Sequence, residues 1–124
     1  MTAKELAEEL NGNEYGNEIS RVEAQIANEY GLVVVFGYSD DNIEFEGAIS
    51  DERGCFGGGI VHINRNGLCS PEDEGSRSIE AVWCDKELGA AWSYKTDIPH
   101  ETFNIYEDGE LFCVGIVFSL EDLK

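Results

Sequence analysis

The chain has 124 residues and a formal net charge of −18, because 26 acidic side chains outnumber 8 basic ones. Its 42% hydrophobic and 10% aromatic residues are enough to build one folded core. A charge of this size repels a nucleic-acid duplex and an anionic membrane, and it attracts basic protein surfaces. We therefore expect a single acidic domain over residues 1–124 whose partner is a basic protein, with neither nucleic acid nor membrane as a direct ligand.

The start of the chain and its cysteines bear on the cellular compartment. The residues after Met1 lack the basic and apolar segments of a secretory signal, and no window of about 18 apolar residues follows them. Four widely spaced cysteines form no C-x-x-C pair: Cys55, Cys69, Cys84 and Cys113. We expect a cytoplasmic protein with reduced thiols.

Two helices are expected before residue 32. The segment 2–10 predicts the first, because Thr2 and Glu5 form an S/T-x-x-E capping box and apolar residues recur on one face. A second capping box predicts a helix that begins at Ser20, and Gly31 is placed to end it.

From residue 32 onward the pattern changes to strands. The run 32–38 is almost continuously apolar, which is typical of a strand covered on both faces, and 43–49 alternate as its hairpin partner. Further strands are expected at 60–64, 79–84, 90–96, 103–107 and 111–119, and a long exposed loop at 70–76. The sequence therefore predicts an α+β fold in which two N-terminal helices pack on a mainly antiparallel sheet of about six strands.

The last hairpin has the clearest turn signal in the chain. Asp108-Gly109 is a dipeptide typical of two-residue β-hairpin loops. This register would place Glu107 and Glu110 opposite each other as like charges. The hairpin is therefore expected to contain an unfavourable pair at its tip.

Several residue combinations suggest metal chemistry. Cys55, His62, Cys69 and Cys84 are all possible zinc ligands, but they lack the close ligand pairs of structural zinc sites. Carboxylates at 40–46 resemble oxygen ligands for calcium or magnesium without matching the EF-hand spacing. We expect no metal and no cofactor.

Catalytic signals are equally weak. Cys84 and His100 would make a nucleophile and base only if the fold brought them together, and a cysteine in a Val-Trp-Cys strand is more often part of the core. The glycine run 57–59 precedes a strand and lacks the lysine of a phosphate-binding loop. We expect a protein that is not an enzyme.

The charge itself exceeds the magnitude of roughly 2 to 8 that suffices for solubility in a small domain. The carboxylates are spread over the predicted helices, strands and loops, so they would be carried on a rigid surface and not on a flexible tail. Such a surface can imitate the phosphates of nucleic acid and occupy a basic channel. The candidate partner-binding residues are the acids of the 40–46 hairpin and of the 72–74 loop: Asp40, Asp41, Glu44, Glu46, Glu72, Asp73 and Glu74.

The segments 31–49 and 79–123 resemble a family of small acidic bacteriophage and prophage proteins of unknown function. The longer stretch reads IEAVWCDKELGAAWSYKTDIPHETFNIYEDGELFCVGIVFSLEDL. The two segments cover about half of the chain, and the family has no assigned binding or catalytic residues to transfer. In composition and context the chain also resembles the anti-CRISPR class of inhibitors.

This resemblance implies a phage-encoded inhibitor in the cytoplasm of a bacterial host. Its target would be a CRISPR effector or another basic nucleic-acid-binding defence enzyme, blocked by acidic surface mimicry. The alternatives are a small protein–protein adaptor domain, with or without a stabilising zinc, and a small hydrolase.

Overall fold

The computed structural model describes residues 1–17, 19–39, 42–49 and 59–123. Within these residues there are two helices and nine strands, and the strands form one curled sheet. Among the residues that the sequence singled out, Asp40, Asp41, Cys55 and the first two glycines of the run 57–59 lie outside the described residues.

Both predicted helices are present and begin at their capping boxes. Helix α1 spans Ala3–Leu10 and helix α2 spans Arg21–Glu29. At the start of α1 the Thr2 backbone N–H donates to the Glu5 carboxylate over 3.1 Å, and this hydrogen bond lowers the pKa of Glu5. Neither helix is long and apolar enough to cross a membrane, and the described residues contain no other that is.

The strands follow in chain order, with a short 3₁₀ helix at the end. Their bounds are β1 Asn13–Glu14, β2 Leu32–Ser39, β3 Asn42–Gly47, β4 Ile60–Asn64, β5 Gly67–Leu68, β6 Arg77–Asp85, β7 Ala90–Lys95, β8 Glu101–Glu107, β9 Glu110–Ser119 and the 3₁₀ helix Leu120–Leu123. The exposed loop predicted at 70–76 is present between β5 and β6.

The expectation of about six strands was too low in number, whereas most of the strand pairings are antiparallel as expected. Nine strands join one mixed sheet within the described residues, because β1 pairs with β8 in parallel and β7 pairs with β9 in parallel. Strands β1 and β5 have two residues each, which is too short for an alternating pattern to appear in the sequence. The α+β class itself is consistent with the structure.

Strand β9 organises the sheet. One of its edges pairs with β8, and its other edge pairs first with β7 at Cys113 and then with β2 from Ile116 to Ser119. The sheet therefore divides into a β2–β3 branch and a β7–β6–β4–β5 branch, and it curls into a half-barrel.

Apolar side chains fill both faces of this sheet. Helix α1 packs on β8 and β9, and α2 packs on β2 and β3, burying Leu6, Leu10 and Ala27 against one face. A second cluster of buried side chains, which includes Val33, Val35 and Phe45, covers the other face. Val33 and Val34 face opposite sides and are both fully buried, which confirms the prediction of a central strand covered on both faces.

Glycine permits one close approach in this core. Gly115 on β9 lies directly opposite Phe103 on β8, and a Cβ atom at Gly115 would overlap the Phe103 ring. The ring of Phe103 therefore lies flat over the glycine and helps to bury the β8–β9 pair beneath α1.

Candidate functional site

The predicted acidic site is divided between two places. Glu44 and Glu46 lie on β3, where they are half-buried, while the alternating residues Ile43 and Phe45 are buried in the core. Residues two apart on a strand project from the same face at a spacing of about 7 Å, so the two carboxylates share one face of the sheet.

The second part is the 72–74 loop, which is exposed as predicted. Asp73 closes this loop, because its carboxylate accepts the Ser70 N–H over 2.9 Å and its backbone carbonyl accepts the Ser76 N–H. The Asn64 side-chain amide donates to the Glu74 carbonyl over 3.3 Å and anchors the loop to β4. Glu72 and Glu74 are thus exposed acids on a closed polar turn.

The 72–74 loop precedes the first residue of β6. A second acidic region, which the site prediction did not include, lies after the last residue of β6. Strands β7 and β9 run in parallel and meet at Trp92 and Cys113. Both strands begin just after a hairpin turn, so parallel pairing places the β6–β7 turn beside the β8–β9 turn. The two turns together form one end of the sheet.

Asp85 holds the β6–β7 turn in shape. One of its carboxylate oxygens accepts the backbone N–H groups of Glu87 and Leu88, over 3.1 and 3.2 Å. The other oxygen accepts the hydroxyl of Ser93, which is buried, over 3.1 Å. The turn is therefore fixed by one side chain that satisfies three donors.

The β8–β9 turn has the predicted register. Asp108 and Gly109 both have positive φ angles, 51° and 81°, as a two-residue hairpin loop requires. Glu107 pairs directly with Glu110, which confirms the predicted like-charge pair. Among the described residues, no hydrogen bond or ion pair engages the carboxylates of Glu107, Asp108 or Glu110.

An open groove of about 550 Å³ lies between the two turns. We call it the hairpin groove, and its lining residues are Cys84, Asp85, Lys86, Gly89, Ala90, Ala91, Glu107, Asp108, Glu110, Leu111 and Phe112. The small residues of β7 and the apolar start of β9 line it together with carboxylates from both turns, and Lys86 is the basic residue among them. The hairpin groove is thus apolar and acidic at once.

Large exposed apolar side chains surround this groove. Trp83, 58% exposed, precedes Cys84 and packs on Trp92 with ring centroids 4.7 Å apart. Tyr15, 48% exposed, packs edge-on against Phe112 at 5.3 Å. Leu88 is exposed in the β6–β7 turn. Exposed aromatic residues of this kind are enriched where proteins bind partners.

Candidate metal ligands are only partly brought together. The Cys69 N–H donates to the His62 carbonyl over 2.9 Å, so these two residues are neighbours, whereas Cys84 lies near the opposite end of β6. Across the residues that the structure describes, no group of three or more His, Cys, Asp or Glu side chains is arranged to hold a metal ion.

The fold does not bring Cys84 and His100 together as a nucleophile and a base. Cys84 lies beside the β8–β9 turn, whereas His100 precedes the opposite end of β8. The His100 ring nitrogen Nδ1 lies 2.6 Å from the Ile98 carbonyl, which orients the ring locally. Cys84 has a positive φ of 59°, a backbone conformation that a non-glycine residue rarely adopts and that the sequence did not indicate.

One titratable group lies where the two branches of the sheet divide. Burial raises the pKa of Tyr94 on β7 well above its usual value, and Cys113 and Glu44 nearby raise it further. The Cys113 thiol donates to the Gly37 carbonyl over 3.4 Å across the same division. Tyr94 is therefore a neutral phenol at physiological pH.

No family model, curated protein or solved structure matches this chain.

Proposed function

We propose that this protein is an inhibitor that occupies the basic nucleic-acid site of a bacterial defence nuclease, a CRISPR effector or a comparable enzyme, by presenting carboxylates in place of phosphates. The observation that carries the proposal is the position of the acids. Exposed carboxylates occur on α1, on the 72–74 loop and on both turns of the hairpin groove, all on one sheet or on the helix that packs against it.

Rigid placement of the carboxylates favours binding, because little of the chain must then become ordered when the partner docks. A flexible acidic tail loses conformational entropy when it docks, whereas carboxylates on strands and closed turns are already in position. Asp73 and Asp85 each fix an acidic turn by hydrogen bonds to backbone N–H groups. The surface therefore combines a high negative charge with a fixed shape, which a basic channel recognises at long range.

The 26 acidic side chains outnumber the 8 basic ones, so ion pairs within the molecule cannot neutralise the charge. In the described part of the chain, Arg77 pairs with Asp97 over 3.2 Å, and the Asp97 side chain remains 77% exposed. The net charge of −18 therefore remains to attract a basic partner. Docking by this charge would weaken steeply as salt rises.

A displacement assay tests the proposal. A bacterial extract is bound to duplex DNA immobilised on cellulose, and the purified protein is added at low salt. A mimic releases a particular basic nuclease and inhibits its cleavage of DNA, and this release disappears at high salt. Polyglutamate with the same total charge is the control, because it reproduces any release that requires charge alone. Release of nothing, or of the same set that polyglutamate releases, contradicts the proposal.

The second candidate is a protein–protein adaptor domain that does not imitate nucleic acid. The exposed aromatic side chains around the hairpin groove favour it, because such residues are typical of ordinary protein interfaces. An adaptor complex would persist at high salt and in the presence of competing DNA, which distinguishes it from a mimic.

A further inference from the structure

The hairpin groove differs from a plain cluster of acids, because its charges surround an apolar surface. Ala90 is buried, and Ala91, Leu111 and Phe112 are half-buried along the groove. A hydrated metal ion or a small inorganic cation gains nothing from such a surface. The groove therefore suits a ligand that has both an alkyl part and a positive charge.

The charge of the groove selects the sign of that ligand. Asp85, Glu107, Asp108 and Glu110 contribute carboxylates, and Lys86 contributes one ammonium group. Asp85 already accepts three hydrogen bonds, whereas Glu107 and Glu110 face each other with no partner among the described residues. A cation placed between these two glutamates would relieve their repulsion.

The size of the groove and its aromatic neighbours point to a segment of a protein. A volume of about 550 Å³ lies within the range of about 300 to 1,000 Å³ at which proteins hold organic ligands, and it exceeds the needs of one small cation. Phe112 lines the groove, and Tyr15 packs on Phe112. Aromatic rings of this kind stack on guanidinium groups.

We infer that the hairpin groove binds an arginine side chain from an extended basic segment of the protein partner. The methylene stem lies along Ala90, Ala91 and Leu111, and the guanidinium group lies between the carboxylates of Glu107 and Glu110. Arginine fits better than lysine, because its planar fork donates to two carboxylates at once and stacks on an aromatic face. The inference rests on the proposed function for the basic character of the partner.

The first test is a titration of the ¹⁵N-labelled protein with a blocked pentapeptide that contains two arginines. Its citrulline counterpart, which keeps the shape and removes the charge, is the control peptide. We expect amide shifts concentrated at residues 84–91 and 107–112, and no comparable shifts with the citrulline peptide. Shifts spread evenly over all acidic surfaces, or equal binding of citrulline, would overturn the inference.

Two variants locate the binding site. Glu107→Gln with Glu110→Gln removes two charges from the groove, and we expect the peptide to bind about tenfold more weakly, equivalent to about 1.4 kcal/mol. Removal of a like-charge pair cannot unfold the hairpin, so the loss is one of binding. The matched control, Glu72→Gln with Glu74→Gln, makes the same change in charge at the 72–74 loop. It should weaken binding by about twofold or less, because the long-range attraction between these exposed carboxylates and the peptide is screened by salt. Equal losses in the two variants would contradict a specific site.

A third variant tests the apolar part of the groove without altering its charge. Ala91→Leu places a larger side chain in the groove at a half-buried position. We therefore expect the arginine peptide to bind more weakly at every salt concentration. Unchanged binding to this variant would show that charge alone holds the peptide.

Self-association is tested by concentrating the ¹⁵N-labelled protein without peptide. Amide shifts at the groove residues in that experiment would identify a second copy of the chain as the occupant and would also overturn the inference.

The displacement assay separates this inference from the proposed function. If the groove variants release the same DNA-binding nuclease as the unaltered protein, the groove is not the docking site and the proposed function stands. If the unaltered protein releases no nuclease yet binds the arginine peptide in the groove, the proposed function fails and the groove chemistry is supported.

Discussion

The two acidic ends of β6 differ in what lies beside their carboxylates. At the 72–74 loop, the acids lie on a closed polar turn next to Asn64 and Arg65. At the hairpin groove, the acids surround alanines, a leucine and a phenylalanine. The two ends carry similar charge and are separated by the length of a nine-residue strand, about 26 Å at about 3.3 Å per residue.

This difference teaches that charge alone does not distinguish a binding site from a solvated surface. An isolated carboxylate in water already has good partners, so it gains little from an exposed ion pair. A carboxylate beside an apolar surface gains more, because the partner that covers the surface also displaces water around the charge.

The largest difference in stability is expected between alanine substitutions of the two aspartates that close the turns. Asp85→Ala leaves the buried Ser93 hydroxyl and two N–H groups without their acceptor, so we expect the free energy of unfolding to fall by about 2 kcal/mol. Asp73→Ala removes the acceptor of the Ser70 N–H, which lies on an exposed loop where water can replace it, so the loss should be about 1 kcal/mol or less. Urea denaturation followed by circular dichroism measures both.

A double variant provides the control for this pair. Ser93→Ala in the Asp85→Ala background removes the orphaned hydroxyl and should restore part of the lost stability. Equal losses at Asp85 and Asp73, with no restoration, would show that the Ser93 hydrogen bond does not distinguish the two turns.

Each end also contains a residue in the left-handed region, and the two should respond in opposite directions. Gly75 has a φ of 75° in the β5–β6 connection, so Gly75→Ala should lower stability by about 1 kcal/mol through backbone strain alone. Asp108 has a φ of 51°, and Asp108→Asn should raise stability by a few tenths of a kcal/mol, because Asn-Gly suits this turn and one crowded charge is removed. Thermal denaturation measures both, and a loss at Asp108 would contradict the assigned turn.

The smallest change in stability is expected for the paired glutamine variants of the two acidic ends. Glu107→Gln with Glu110→Gln removes a directly opposed pair of like charges and should stabilise the fold by about 0.2 to 1 kcal/mol at low salt. Glu72→Gln with Glu74→Gln should leave stability unchanged, because these side chains are exposed on a loop. High salt should diminish the gain at the groove. A gain of the same size at the loop would mean that total charge, not local pairing, determines stability.

Much of the local structure could be predicted because its signals are local. The capping boxes at Thr2 and Ser20 place both helix starts, and Asp108-Gly109 places the last turn and its opposed glutamates. The apolar run in β2 predicts burial on both faces. For the caps and the turn, the interacting residues lie within a few positions of one another, and for β2 the apolar run itself is the local signal.

The candidate site could be predicted only in part. The 72–74 loop is exposed as expected, and Glu44 and Glu46 lie together on β3. The hairpin groove was missed, although both of its turns were predicted separately. Nothing in the local pattern says that these two turns are neighbours, because the parallel pairing of β7 with β9 at Trp92 and Cys113 joins residues far apart in the chain.

The sequence by itself determined the α+β class, the two helices, most strands and an acidic surface that favours basic partners. It did so because periodicity, caps, turn residues and net charge each act over short distances or over the whole chain at once. Tertiary structure alone decided the branching of the sheet at β9, the left-handed Cys84 and the meeting of two acidic turns over an apolar groove. These features require pairing between distant strands, whose register and direction are selected by the burial of the whole core.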